Sequence, residues 1–180
     1  IRVDCSYGVS RLAAGVSRWG QEQFEALAQI VGYLKRTQGY VLSIRPGDPS
    51  VRKEMRMYCD ASWHTPRSQS SSALCVCEVI GEEGNEQVRC LALLDWASTK
   101  QGITADSTAA SELIAAHTAV RHMLPLSEAL LTSWVEHKGL QPVTVVGEDN
   151  EAAARVLKTG HTKGLLWLTS KALRIRVGCI

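Results

Sequence analysis

The chain has 180 residues, of which 45% are hydrophobic and 21% are charged, and its formal net charge at pH 7 is +2. This composition excludes wholesale intrinsic disorder and supplies enough apolar material for a hydrophobic core. The near-neutral total gives no global indication of nucleic-acid binding, and no apolar run approaches the roughly 20 residues that span a bilayer. No secretory signal peptide is recognised, so an intracellular protein is expected.

Cysteine spacing supports the same compartment. The six cysteines are Cys5, Cys59, Cys75, Cys77, Cys90 and Cys179, and no two of them form a Cys-x-x-Cys pair. Zinc sites and secreted disulfide frameworks have tighter spacing rules. We therefore interpret the cysteines as small buried hydrophobes in a reducing compartment.

The first quarter of the chain has helical periodicity. Apolar residues recur at helical spacing from Val9 to Val16 and again from Phe24 to Leu34, with Gly20 between the two runs. This pattern predicts a helical hairpin over residues 1–45. The proline- and glycine-rich sequence that follows predicts a linker over residues 46–53.

Strand patterns begin after the linker. Residues 55–59 alternate between apolar and polar side chains, and residues 73–80 and 89–96 form apolar runs. An acidic segment between these two runs, residues 81–86, predicts a hairpin loop. The serine cluster at residues 68–72 predicts a turn.

The second half of the chain mixes helix and strand. Helices are predicted over residues 107–123 and 126–137, a short strand over 142–146 and a further helix over 150–158. The order of three strands, two helices, a strand and a helix predicts an α/β or α+β mixed-sheet domain over residues 54–180.

Three acidic residues occupy positions that an ordinary strand or helix would not select. Asp60 ends the alternating strand, Asp149 follows the short apolar strand, and Glu112 lies between apolar neighbours in the long helix. If they converge at one end of the sheet, their mutual repulsion requires divalent cations, and hard oxygen ligands suit Mg²⁺. Each also has an ordinary alternative: a turn residue for Asp60, a helix N-cap for Asp149 and a solvated helix position for Glu112.

Short motifs along nearly the whole chain resemble copia-type retrotransposon polyproteins. Near the start, residues 2–12 (RVDCSYGVSRL) and 30–37 (IVGYLKRT) resemble two motifs at the end of that family's polymerase module. Later, residues 60–63 (DASW), 96–101 (WASTKQ), 146–153 (VGEDNEAA) and 171–176 (KALRIR) are similar to motifs of its ribonuclease H domain.

This resemblance implies a ribonuclease H-like fold, preceded by the helical tail of the reverse transcriptase. It also implies that Asp60, Glu112 and Asp149 are three of four catalytic, metal-binding carboxylates, with Mg²⁺ as cofactor and Mn²⁺ as a possible substitute. The family's last strand and fourth carboxylate would follow Ile180, so the expected domain is C-terminally truncated and lacks its last strand and helix.

The family cuts the RNA strand of an RNA–DNA hybrid by a two-metal mechanism. The implied partners are therefore the hybrid and the rest of the reverse transcriptase polyprotein, with no membrane. The implied location is intracellular, either a cytoplasmic virus-like particle or the nucleus. The alternative is a non-catalytic or decayed ribonuclease H-like scaffold that binds nucleic acid.

Basic residues could follow a phosphate backbone. The candidates are Lys35, Arg36, His161, Lys163, Lys171, Arg174 and Arg176, and the alternative is that they are ordinary solvated side chains. The formal charge is +4 over residues 1–58, −7 over 59–150 and +5 over 151–180. An acidic centre between basic flanks suits a nuclease, and the total of +2 conceals it.

Overall fold

A computed structural model describes residues 2–81, 85–138 and 144–159, without the side chains of residues 134–138. The chain divides into two units, Ile1–Ser43 and Ile44–Ile180. Among the described residues, none of the helices combines the length and the apolar character that crossing a bilayer requires.

The first unit is a pair of helices. Helix α1 (Ser6–Ala14) and helix α2 (Gln21–Arg36) are flanked by 3-10 turns at Val3–Cys5 and Val16–Arg18. The predicted helical hairpin is confirmed, but helix ends at Arg36 rather than near residue 45. Gly39 and the β-branched Val41 disfavour helix at that point.

Polar contacts tie the start of the first unit to the end of α2. The Arg2 guanidinium lies 2.7 Å from the Asp4 carboxylate and also donates to the Thr37 hydroxyl. The Tyr33 hydroxyl donates to the same Asp4 carboxylate at 2.6 Å. These bonds fix the two ends of the hairpin against each other.

The second unit is a mixed sheet with two helices. Its elements are strands β1 (Arg52–Ser62), β2 (Gln69–Ile80) and β3 (Gln87–Lys100), helix α3 (Thr108–Lys138), strand β4 (Thr144–Gly147) and helix α4 (Glu151–Thr159). The described strands form a sheet in the order β3-β2-β1-β4, in which β1 and β4 are parallel and the other pairs are antiparallel. The predicted mixed α/β class and the β2–β3 hairpin are confirmed.

Alternation along β1 builds the main core. Met55, Met57 and Cys59 are buried, whereas the intervening Tyr58 is exposed. The buried residues join a cluster with small side chains of α3, including Ala116 and Ala119. Small side chains let the helix approach the sheet closely, and each large side chain buried in this way contributes about 1.5–3 kcal/mol.

A second cluster holds α4 against the first half of α3. Ala153 and Val156 of α4 pack with Ala110, Leu113 and Ile114 of α3. The loop that precedes α4 is thereby brought next to the N-terminal turns of α3, which determines where the candidate site forms.

Helix α3 corrects the prediction of two helices over residues 107–123 and 126–137. Pro125 lies inside one continuous helix. Met123 and Ser127, on either side of it, are fully buried, and the Ser127 hydroxyl bonds the Thr144 hydroxyl of β4 at 2.7 Å. Tertiary packing on both sides of Pro125 therefore overrides its helix-breaking tendency.

Two further predictions were wrong. Ser70, Ser71 and Ser72 belong to β2 instead of forming a turn, because they pair with β1 on one side and β3 on the other. Cys90 is exposed, whereas the other described cysteines are buried and free as predicted. Cys179 lies outside the described residues.

The segment that precedes β1 is fastened to the sheet. Arg45 donates its backbone N–H to the Leu91 carbonyl at 2.9 Å. Asp48 donates its backbone N–H to the buried Glu78 carboxylate, and Lys53 donates to the Asp48 carbonyl. We call residues 45–48 the strap.

Candidate metal centre

Asp60 is positioned by the end of β1. It lies between the buried Cys59 and Ala61, and its own side chain is exposed. Strand β1 runs parallel to β4 with Tyr58 paired to Gly147. Asp60 and Asp149 each lie two residues beyond that pair, so the parallel register brings both aspartates to the same edge of the sheet.

Glu112 is positioned by the start of α3. The Ser107 hydroxyl caps this helix by accepting the Ala110 N–H at 3.2 Å. Glu112, one turn further on, is only 4% exposed, and the nearby backbone N–H of Ala61 favours the charged form of its carboxylate. Glu112 is therefore a buried residue and not a solvated helix position.

Asp149 lies in the loop between β4 and α4. The Asn150 side chain accepts the Ala153 N–H at 3.0 Å and so caps α4. The N-cap role considered for Asp149 is therefore filled by its neighbour. The exposed Asp149 carboxylate is left to face the centre.

The three predicted carboxylates come together in space. One carboxylate oxygen from each of Asp60, Glu112 and Asp149 lies within 4.8 Å of the others. We call these residues the acidic triad. Three carboxylates at this separation repel one another strongly, and a divalent cation relieves that repulsion.

A fourth acid, Glu148, adds to the negative potential and was missed as a site residue. Its carboxylate accepts the Asn150 N–H at 3.1 Å and lies 3.5 Å from the Cys59 sulfur. Burial raises the pKa of Glu148, and the charges of Asp149 and Asp60 raise it further. Its place directly after an apolar strand and before Asp149 was the available signal.

The pKa of Glu112 is raised as well. Burial raises the pKa of the Glu112 carboxyl from 4.5 to about 7, with the charges of Glu148 and Asp60 as the next causes. The N–H of Ala61 opposes the shift. Burial likewise raises the pKa of the neighbouring Cys59 thiol, and the Glu148 charge adds to the effect. The Cys59 thiol is therefore a neutral donor at physiological pH.

The donor set of the triad fits a hard divalent cation. Within the described part of the chain, the Oε2 atom of Glu112 is buried and has no hydrogen-bond partner. A buried charged oxygen without a partner is destabilising, and an ion is one of the few groups that can satisfy it. With two further carboxylates within 4.8 Å, the residues fit Mg²⁺.

Comparisons of the chain with family models, with curated proteins and with solved structures gave no match. The geometry of the triad and the sequence motifs therefore carry the functional argument.

The predicted nucleic-acid-binding residues are not members of the triad. Lys35 and Arg36 are exposed in the last turn of α2, in the first unit. The others, His161, Lys163, Lys171, Arg174 and Arg176, lie outside the described residues.

Proposed function

We propose that the second unit is a ribonuclease H-type domain that cuts the RNA strand of RNA–DNA hybrids, and that the first unit is the helical tail of a copia-type reverse transcriptase. One observation carries the proposal: Asp60, Glu112 and Asp149 come from two strand ends and a helix, yet their carboxylate oxygens lie within 4.8 Å of each other. Two of the three, Asp60 and Asp149, lie within sequence motifs that resemble the family.

The triad would hold Mg²⁺, with Mn²⁺ as a substitute of similar ligand preference. Two such ions, when bound, activate a water molecule and stabilise the leaving oxygen in phosphodiester cleavage. Glu112 is the fixed member of the triad, since it is buried in the first turns of α3. It would hold its carboxylate in a fixed orientation toward a bound ion.

The two aspartates face outward. Asp60 and Asp149 are exposed, so a substrate as large as a nucleic-acid duplex can reach them. Discrimination of RNA from DNA would rest on the 2′-hydroxyl groups of the minor groove, together with contacts from basic residues to phosphate. The corresponding location is intracellular, in a virus-like particle or the nucleus.

The test is cleavage of a labelled RNA–DNA hybrid by the 180-residue chain in Mg²⁺. We expect Asp60→Asn, Glu112→Gln and Asp149→Asn each to lower the cleavage rate by about 100-fold or more, because each removes a ligand charge. Matched controls are Glu128→Gln, on the exposed side of α3, and Asp106→Asn, just before it. Both controls should cleave at the wild-type rate.

Cleavage that survives Asp60→Asn or Asp149→Asn would show that these residues lack the proposed role. A chain that binds hybrid in a salt-dependent manner, yet neither cleaves it nor binds Mg²⁺, would instead be the non-catalytic scaffold.

A further inference from the structure

Gln101 ends the motif of residues 96–101, to which the proposed chemistry assigns no role. It follows β3 and is 4% exposed. Its backbone N–H donates to the Ser68 carbonyl at 2.8 Å. Its side-chain nitrogen Nε2 donates to the Ser70 hydroxyl at 2.9 Å and to the Ser111 carbonyl at 2.8 Å. One buried amide therefore joins the end of β3, the start of β2 and the first turns of α3.

These contacts form a closed path around Glu112. Ser111 directly precedes Glu112 in α3. Ser70 pairs with Ala61 in the β1–β2 register, and the nearby Ala61 N–H favours the charged form of the Glu112 carboxylate. The path thus runs from Gln101 through Ser70 and Ala61 to Glu112, and returns through Ser111.

We propose that Gln101 is a positioning residue, which holds the Glu112 turn of α3 at the distance from β1 that the triad requires. This inference rests on the proposed metal-binding function. Metal ligands must be held to within roughly 0.5 Å by packed and hydrogen-bonded neighbours. The Gln101 amide supplies such a constraint because both bonds come from the same planar group.

The unused end of the amide supports this role. In the described part of the chain, Gln101 Oε1 is buried and has no hydrogen-bond partner. A buried, unpartnered oxygen is destabilising, so an apolar side chain would be favoured if packing alone were required at this position. What the amide adds is the defined geometry of its two donated bonds.

The experiment replaces Gln101 by Met, which has similar length and no donor. Magnesium affinity of the 180-residue chain, measured by titration calorimetry, should weaken about 10-fold, as for other residues that orient metal ligands. Gln101→Asn keeps the amide but is too short to reach both partners, so it should weaken binding in the same direction. Val76→Ala, which thins the core on β2, should lower the melting temperature and leave magnesium affinity unchanged.

Magnesium affinity of Gln101→Met within twofold of wild type would overturn the proposal. A second measurement needs no metal: backbone hydrogen exchange at residues 111–114 should accelerate in Gln101→Met beyond its acceleration in Val76→Ala. If the wild-type chain binds no Mg²⁺, the proposed function fails, and the exchange rates still decide the role of Gln101. Equal exchange in the two variants would reject it.

Discussion

At the scale of single residues, the buried Glu112 carboxylate serves the proposed metal site, but its charge destabilises the metal-free folded state. In the metal-free protein its pKa lies at about 7, against 4.5 for an ordinary glutamate. The folded state therefore holds the proton more tightly than the unfolded chain does. The resulting stabilisation is complete below about pH 4.5 and is lost as the pH rises to about 7.

Glu112→Gln should consequently stabilise the metal-free protein at pH 8. The neutral amide avoids burying a charge, and we expect the free energy of unfolding to rise by on the order of 2 kcal/mol. At pH 4.5 the gain should largely disappear, because Glu112 is then protonated in the folded state. Urea denaturation with a chelator at both pH values measures the effect.

Glu128→Gln provides the control for this prediction, because it removes an exposed carboxylate from the same helix. It should change the unfolding free energy little at either pH. A Glu112→Gln variant that is no more stable than wild type at pH 8 would show that burial of this charge is not destabilising.

The residues of the triad could be predicted because each interrupts a local pattern. Glu148 and Gln101 could not be assigned in the same way. Glu148 follows an apolar strand as Asp149 does, but its role in the centre is established by its contacts with Cys59 and Asn150. Gln101 is polar in a loop, and its importance depends on two partners distant in sequence.

At the scale of elements, α4 depends on its cap. Replacing Asn150 by Ala removes the side-chain oxygen that accepts the Ala153 N–H, which should cost about 1 kcal/mol of unfolding free energy. Asn150→Ser should recover most of that loss, since serine caps helices about as well as asparagine. Thermal unfolding of the three proteins checks the order, and equal stability of Asn150→Ala and wild type would contradict it.

The elements were predictable where periodicity and burial agree. Strand β1 and helix α4 follow their apolar patterns. The prediction failed at Pro125 and at the serines of β2, where intrinsic propensity and tertiary context disagree. The helix α3 continues through Pro125 because residues on both sides of the proline are buried. Strand β2 includes the serines because it pairs with a strand on each side. Neither effect can be predicted from the local sequence.

At the scale of the whole second unit, the strap closes over a buried charge. Glu78 is 1% exposed and receives the Asp48 N–H, with Lys53 and Arg89 nearby. Gly47 packs so closely that an added Cβ atom would lie 2.6 Å from Glu78 Oε1 and 2.7 Å from Leu91 Cδ1. A larger residue at this position would require the ends of the Glu78 and Leu91 side chains to shift.

Gly47→Ala should destabilise the unit by about 1–3 kcal/mol, the usual cost of overpacking a closely packed position. Gly102→Ala is the matched control, because nothing lies within 4 Å of its added Cβ atom. Chemical denaturation of both variants measures the difference. If the two variants are equally stable, the strap is not packed against Glu78 in solution.

The parallel pairing of β1 with β4 has a consequence for the order of folding. Strands β1, β2 and β3 are consecutive in the chain, and each pairs with the next. Strand β4 pairs with β1, and β2, β3 and the whole of α3 lie between them in the chain. Contacts between distant segments form late because closing a long loop costs entropy. We expect the antiparallel strands β1 to β3 to fold first and Asp149 to join the acidic triad last. The chain would then encounter the mutual repulsion of its carboxylates only when the remaining structure is already in place to hold them.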